Sequence, residues 1–118
     1  MLEMVPKPWG YELIWARTDQ YVAKLIFING GHRLSLQRHH KKMESFYVLE
    51  GMAEGWEVVS AGFTKRWRMK PGESLTIPPG TSHRLGAPLG TVRVMEVATA
   101  SGDDDIERLE DDYGRATS

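Results

Sequence analysis

The chain has 118 residues, 15 basic and 16 acidic side chains, a formal net charge of −1 and no cysteine. This composition excludes a disulfide framework, a thiolate metal site and a cysteine nucleophile. It also leaves no basic footprint for nucleic acid or an anionic membrane.

The length suits one domain, residues 1–118, with a core modest enough that a homodimer is expected to supplement it. The opening MLEMVPKPWGYEL lacks the apolar stretch and cleavage site of a secretory signal. No apolar run approaches the roughly 20 residues of a membrane span, so a cytoplasmic protein is expected. Short runs rich in β-branched and aromatic residues then alternate with Gly, Pro and Asn. They predict strands at 11–15, 21–28, 34–39, 45–49, 53–59, 63–68, 74–77, 83–85 and 92–98. Breaks fall at Asn29-Gly30-Gly31, Gly51, Ala61-Gly62, Pro71-Gly72, Pro78-Pro79-Gly80 and between Gly86 and Gly90. The pattern predicts an all-β barrel or sandwich. The acidic arm of about 101–118, GDDDIERLEDDYGR and its flanks, reads as a short helix, an ordered extension or a solvated tail.

Alternation along 34–39 puts Ser35, Gln37 and His39 on one face, with Leu34, Leu36 and Arg38 on the other. Glu44, Phe46 and Val48 share a face of the next strand, and His83 follows the Pro-Pro-Gly turn. One Gln, two His and one carboxylate make an oxygen and nitrogen donor set for a divalent ion. The alternative is that all four are buried polar groups, each needing a partner of its own. His40 points away from His39 and is the weaker ligand. Lys24 shares a face with Val22, Ile26 and Ile28, where it either snorkels to the rim or meets a substrate anion. Arg84 and Arg33 carry the planar fork that suits phosphate, or are rim arginines. Glu96 shares a face with Val92 and Val94. An interior carboxylate there is either a general base with raised pKa or the ion-pair partner of Lys24 or an arginine. Trp9, Trp56 and Trp67 read as core or interface aromatics ahead of sugar platforms.

The spacing Gly31, five residues, Gln37-Arg38-His39, four residues, Glu44, six residues, Gly51 resembles the first cupin motif, with Gln37 in place of its first His. Gly72, five residues, Pro78-Pro79-Gly80, two residues, His83 resembles the second, with Ala87 where an Asn is usual. KPWGYEL, LSLQRHH, IPPGTSHRL, MEV and DDDIERLEDDYGR together resemble the mannose-6-phosphate isomerase domain of type II phosphomannose isomerases. That domain usually follows a guanylyltransferase domain, for which these residues hold no Gly-rich nucleotide segment. Ser45-Phe46 departs from the family's His-Trp, and Trp56 and Trp67 are additions. The resemblance implies a small single-domain cupin, an antiparallel jelly-roll barrel. It implies one divalent metal on Gln37, His39, Glu44 and His83, with zinc first and manganese, iron, cobalt or nickel acceptable to the same donors. It implies isomerisation of a sugar phosphate, mannose 6-phosphate to fructose 6-phosphate, with Glu96 and Lys24 in the catalytic step and Arg84, Lys24 and Arg33 on the substrate. A non-catalytic sugar-binding module and a metal-dependent cupin oxygenase are the alternatives, since one barrel hosts many chemistries.

Overall fold

The computed structural model describes residues 2–60, 63–100 and 105–115. Among them are strands β1 (Glu3–Lys7), β2 (Gly10–Arg17), β3 (Tyr21–Ile28), β4 (Leu36–His39), β5 (Glu44–Glu50) and β6 (Ala53–Ser60). They continue with β7 (Phe63–Met69), β8 (Ser74–Ile77), β9 (His83–Gly86), β10 (Val92–Thr99) and β11 (Ile106–Glu110). A six-stranded sheet in the order β1-β2-β3-β10-β5-β8 faces a five-stranded one in the order β11-β4-β9-β6-β7. All pairings are antiparallel. The expected all-β class is the observed one, and no described helix is long and apolar enough to cross a membrane.

The central strands explain where the core lies. On β10 the inward residues Val92, Val94 and Glu96 pair with Ile28, Ile26 and Lys24 of β3, and Val94 and Glu96 with Val48 and Phe46 of β5. One end of the interior is therefore branched aliphatic and fully buried. The other end turns polar at the level of Lys24 and Glu96. Because side chains alternate, one register fixes both the apolar plug and the polar chamber above it.

Two elements differ from the sequence expectation. β1 was not expected, because Pro6 interrupts its run. It forms at the edge of its sheet, where a missing N–H breaks no ladder bond. The described part of the acidic arm is not a helix. It adds β11 to the open edge of β4, pairing Ile106 with His39, Glu107 with Arg38 and Arg108 with Gln37. Asp105 anchors the start of that strand by accepting backbone N–H bonds from His40, Lys41 and Lys42. The predicted break at Ala61-Gly62 and arm residues 101–104 and 116–118 lie outside the described residues. At the Pro-Pro-Gly turn, Gly80 has φ 83°, a left-handed conformation that suits glycine, and the chain then swings directly into His83 and β9.

Candidate active site

The polar chamber is a cavity of about 400 Å³ between the sheets. Glu12, Lys24, Phe46 and Glu96 line it from the six-stranded sheet, and Gln37, His39 and Arg108 from the other. The structure brings together the four residues expected to bind metal. Gln37 pairs directly with His83 across β4 and β9. Glu44 Oε1 lies 2.6 Å from His39 Nε2 and 3.8 Å from His83 Nε2. Gln37, His39 and Glu44 face the cavity, while His83 sits one layer deeper, against Phe46.

The hydrogen bonds leave these side chains unanswered by one another. His83 Nδ1 is 3.0 Å from the Thr81 carbonyl, which only accepts, so Nδ1 carries the proton and Nε2 presents a lone pair. Both His83 Nε2 and Glu44 Oε1 are buried without a hydrogen-bond partner among the described residues. The short His39–Glu44 approach is therefore two donor atoms converging, outside hydrogen-bond geometry. Burial and the nearby Lys42 charge push the His39 pKa down to about 4. Burial likewise lowers His83, against the Thr81 carbonyl that acts to raise it. Both imidazoles are thus neutral near pH 7, the form that binds cations. The set fits a divalent ion in donor type. It does not enclose one as it stands: among the described residues no three His, Asp or Glu side chains close around a metal-sized point. The Gln37 carbonyl oxygen is engaged by the Ser35 hydroxyl at 3.2 Å.

Beside these donors runs a line of alternating charge. Lys24 Nζ is 3.3 Å from Glu12 and 3.6 Å from Glu96. Burial opposes the Lys24 charge, but the Glu96 and Glu12 carboxylates outweigh it and raise its pKa. Glu96 is fully enclosed, and burial, then its contact with Glu44, push its carboxyl up to about 8. Glu96 is thus both an interior carboxyl of raised pKa and a neighbour of Lys24 at 3.6 Å.

The structure does not bring Arg33 and Arg84 to this cavity. Arg84 follows His83 on β9 and so projects from the opposite face. There its Nε donates to the Leu34 carbonyl, and its fork lies within 3.7 Å of Glu110 and 3.8 Å of Asp112. Arg33 makes a two-pronged bond to Asp112 at 2.7 and 2.9 Å and lies over the Trp56 ring. The cations on the cavity wall, besides Lys24, are instead Lys7, Arg17, Lys42, Arg108 and Arg115. Arg108 Nε is buried with no hydrogen-bond partner among the described residues. Arg115 is held by both Asp111 oxygens. The signal for Arg108 was the alternation Ile106, Arg108 in a segment of mixed charge, which is legible only once that segment is known to be a strand. Trp9 is in the core, and Trp67 packs against it.

Residues 1–111 match the family model described as mannose-6-phosphate isomerase C-terminal. The chain is 37% identical over 115 residues to the alginate biosynthesis protein AlgA of Pseudomonas aeruginosa, covering 94% of this chain and 23% of that protein. It is 32% identical over 113 residues to a mannose-1-phosphate guanylyltransferase of Escherichia coli, covering 92% and 23%. The chain thus spans about a quarter of the length of the curated relatives it matches. Among solved structures, capsular polysaccharide assembling protein CapF of Staphylococcus aureus is similar with TM-score 0.82 at 19% identity, over 93% of this chain and 34% of that one. KdgF from Halomonas sp. gives 0.73 at 20%, over 86% and 89%. Oxalate decarboxylase of Bacillus subtilis gives 0.78 at 16%, over 92% and 30%. These likenesses show the cupin fold and no more.

Proposed function

Because the chain belongs to the mannose-6-phosphate isomerase C-terminal family, we propose that it is a metal-dependent aldose–ketose isomerase domain that interconverts mannose 6-phosphate and fructose 6-phosphate. The observation that carries this reading is the make-up of one cavity. Convergent donors and a carboxylate–lysine line sit beside an Arg108 whose Nε has no partner among the described residues.

Gln37, His39, Glu44 and His83 would hold the ion, zinc being the expected one, and when bound it supplies positive charge that stabilises a developing oxyanion on the sugar. The remaining work falls to side chains of the chain itself. Glu96 removes the proton from C2 and returns it to C1, passing through an enediol, and a base with pKa near the working pH suits that exchange. Lys24 serves the two oxygens, giving a proton to O1 as the enediol forms and recovering one from O2 as it collapses. Glu12 holds Lys24 in place. Arg108, assisted by Lys7 and Lys42 around the same cavity, takes the phosphate in place of Arg33 and Arg84. A phosphorylated sugar is charged and does not cross a bilayer unaided, which supports a cytoplasmic setting.

The test is to load the protein with zinc, manganese, iron, cobalt or nickel and follow fructose 6-phosphate formed from mannose 6-phosphate. Absence of turnover with every metal and a panel of hexose and pentose phosphates refutes the isomerase reading. Tight sugar-phosphate binding in that case favours the binding module. Oxygen consumption with iron favours the oxygenase.

A further inference from the structure

A second, smaller cavity of about 280 Å³ opens on the outward face of the five-stranded sheet. Pairing of β6 with β9 sets Glu54 beside Gly86 and Trp56 beside Arg84, and Arg33 bridges to Gly86 from the other flank. Gly86 forms the floor. A Cβ there would stand 3.0 Å from Arg33 Cβ and 3.2 Å from Trp56 Cζ3, so bare backbone makes the room between these two walls. Trp56 is only half-buried. None of these residues lines the polar chamber. The charges around the cavity are already answered within the chain. Asp112 accepts from Arg33 Nε at 2.7 Å and from Nη2 at 2.9 Å. Glu54, only 6% exposed, accepts from Arg68 at 3.3 Å. Arg33 also lies over the Trp56 ring, 6.0 Å from its centroid.

We infer that this cavity binds one neutral pyranose ring of a saccharide, at a site separate from the chamber. Charge narrows the choice. A cationic ligand finds the aromatic face and both carboxylates already served by the chain's own arginines. An anion meets Glu54 and Asp112, which repel it. The capacity that remains is for hydroxyl groups, because a carboxylate oxygen that accepts one hydrogen bond keeps a lone pair for another. The C–H face of a sugar lies on the uncovered part of the Trp56 ring, and its hydroxyls donate to Glu54 and Asp112. The walls are set in advance. Asp112 is fixed by its two bonds from Arg33, and His32 by Tyr113, whose hydroxyl is 2.7 Å from Nδ1 and whose ring stacks on the imidazole. Such walls lose little freedom on binding. The volume falls just below the range of about 300–1,000 Å³ usual for small-ligand pockets, which suits a single ring. A nucleobase would need more of the indole face than Arg33 leaves open.

Titration of isotope-labelled protein with methyl α-mannoside, methyl α-glucoside and methyl α-galactoside, followed by amide and indole NMR, tests this. These glycosides are neutral and locked as rings, so they are not isomerase substrates, and the outcome is independent of any turnover. At least one should shift the Trp56 indole N–H and the Gly31 and Gly86 amides saturably, with Kd on the order of 1 mM. Trp56→Ala should abolish the saturable shift at Gly86. Glu54→Gln, which keeps the size and removes the charge, should weaken binding about fivefold. Mannose 6-phosphate should leave these resonances in place, because its phosphate is repelled by both carboxylates. The map on the unsubstituted protein stands whether or not the variants fold. No saturable shift at these positions with any of the glycosides up to about 50 mM would overturn the site. So would shifts confined to Gln37 and His39 in the chamber, or an unaltered titration in the Trp56→Ala protein. A nucleoside that saturates the pocket where the glycosides do not would equally overturn it.

Discussion

Arginine is used in opposite ways on the two sides of the five-stranded sheet. On the outer side Arg33 is held two-pronged by Asp112, and Arg84 donates through Nε to the Leu34 carbonyl and faces the Glu110 and Asp112 carboxylates at 3.7 and 3.8 Å, its buried Nη2 making no hydrogen bond among the described residues. On the cavity side Arg108 keeps a buried Nε with no partner among the described residues. A guanidinium faced by carboxylates fastens chain segments together. One enclosed with other cations is, on the proposed function, a place for an anion, because leaving a buried donor unmet costs about 1–3 kcal/mol. The difference teaches that position relative to the sheet, more than residue type, separates fastening from recognition.

The comparison makes a cavity substitution costly to chemistry and an outer one costly only to stability. The largest effect should come from His83→Ala, which removes a lone pair aimed at Glu44. Bound metal, measured by elemental analysis, should fall below about a tenth of stoichiometric, and turnover by at least about 100-fold. Arg108→Ala should come next. Loss of a charge-assisted bond of about 1.5–3 kcal/mol raises KM for the phosphorylated sugar about tenfold or more, while binding of free mannose scarcely changes. Arg84→Ala should lower stability to denaturant by about 1–3 kcal/mol through its lost bond to Leu34, with KM altered less than about twofold. A tenfold rise in KM for Arg84→Ala would erase the division between the two sides. The smallest effect is on pH dependence. The Arg115 and Arg33 bonds hold Asp111 and Asp112 below their ordinary pKa of 3.8. Groups lowered on folding stabilise the protein above their unfolded pKa and lose that contribution as pH falls through the folded value. Melting temperature should therefore drop below about pH 4 less steeply in an Asp111→Asn, Asp112→Asn protein than in the wild type.

The ligand strands were legible because alternation alone assigns Gln37, His39, Glu44 and Phe46 to their faces. The same rule turns Arg84 away from His83, and applying it there as it was applied to His40 would have removed Arg84 from the phosphate site. β1 and β11 were not legible as strands. Pro6 masks the first, and IERLE has a composition equally suited to a helix. Their fate is set by open sheet edges elsewhere in the chain, a tertiary effect that local propensity does not carry. Arg108, which β11 delivers to the cavity, was missed for that reason, whereas Glu12 lies on the expected strand β2 and needed only the alternation that places it on the Ile14 face.

The pairing of β11 with β4 has a kinetic consequence. It joins Ile106 to His39, residues far apart in the chain, and so adds contacts of large sequence separation. During synthesis from the N-terminus, β4 emerges long before the strand that covers its edge and brings in Arg108. The barrel's apolar end, built from β3, β5 and β10, is complete in sequence by Thr99. A nascent chain can therefore collapse around Ile26, Val48 and Val94 while the cavity wall that carries Arg108 is still missing. On the proposed function, competence for chemistry then follows collapse of the apolar end, and is lost ahead of it when β11 frays.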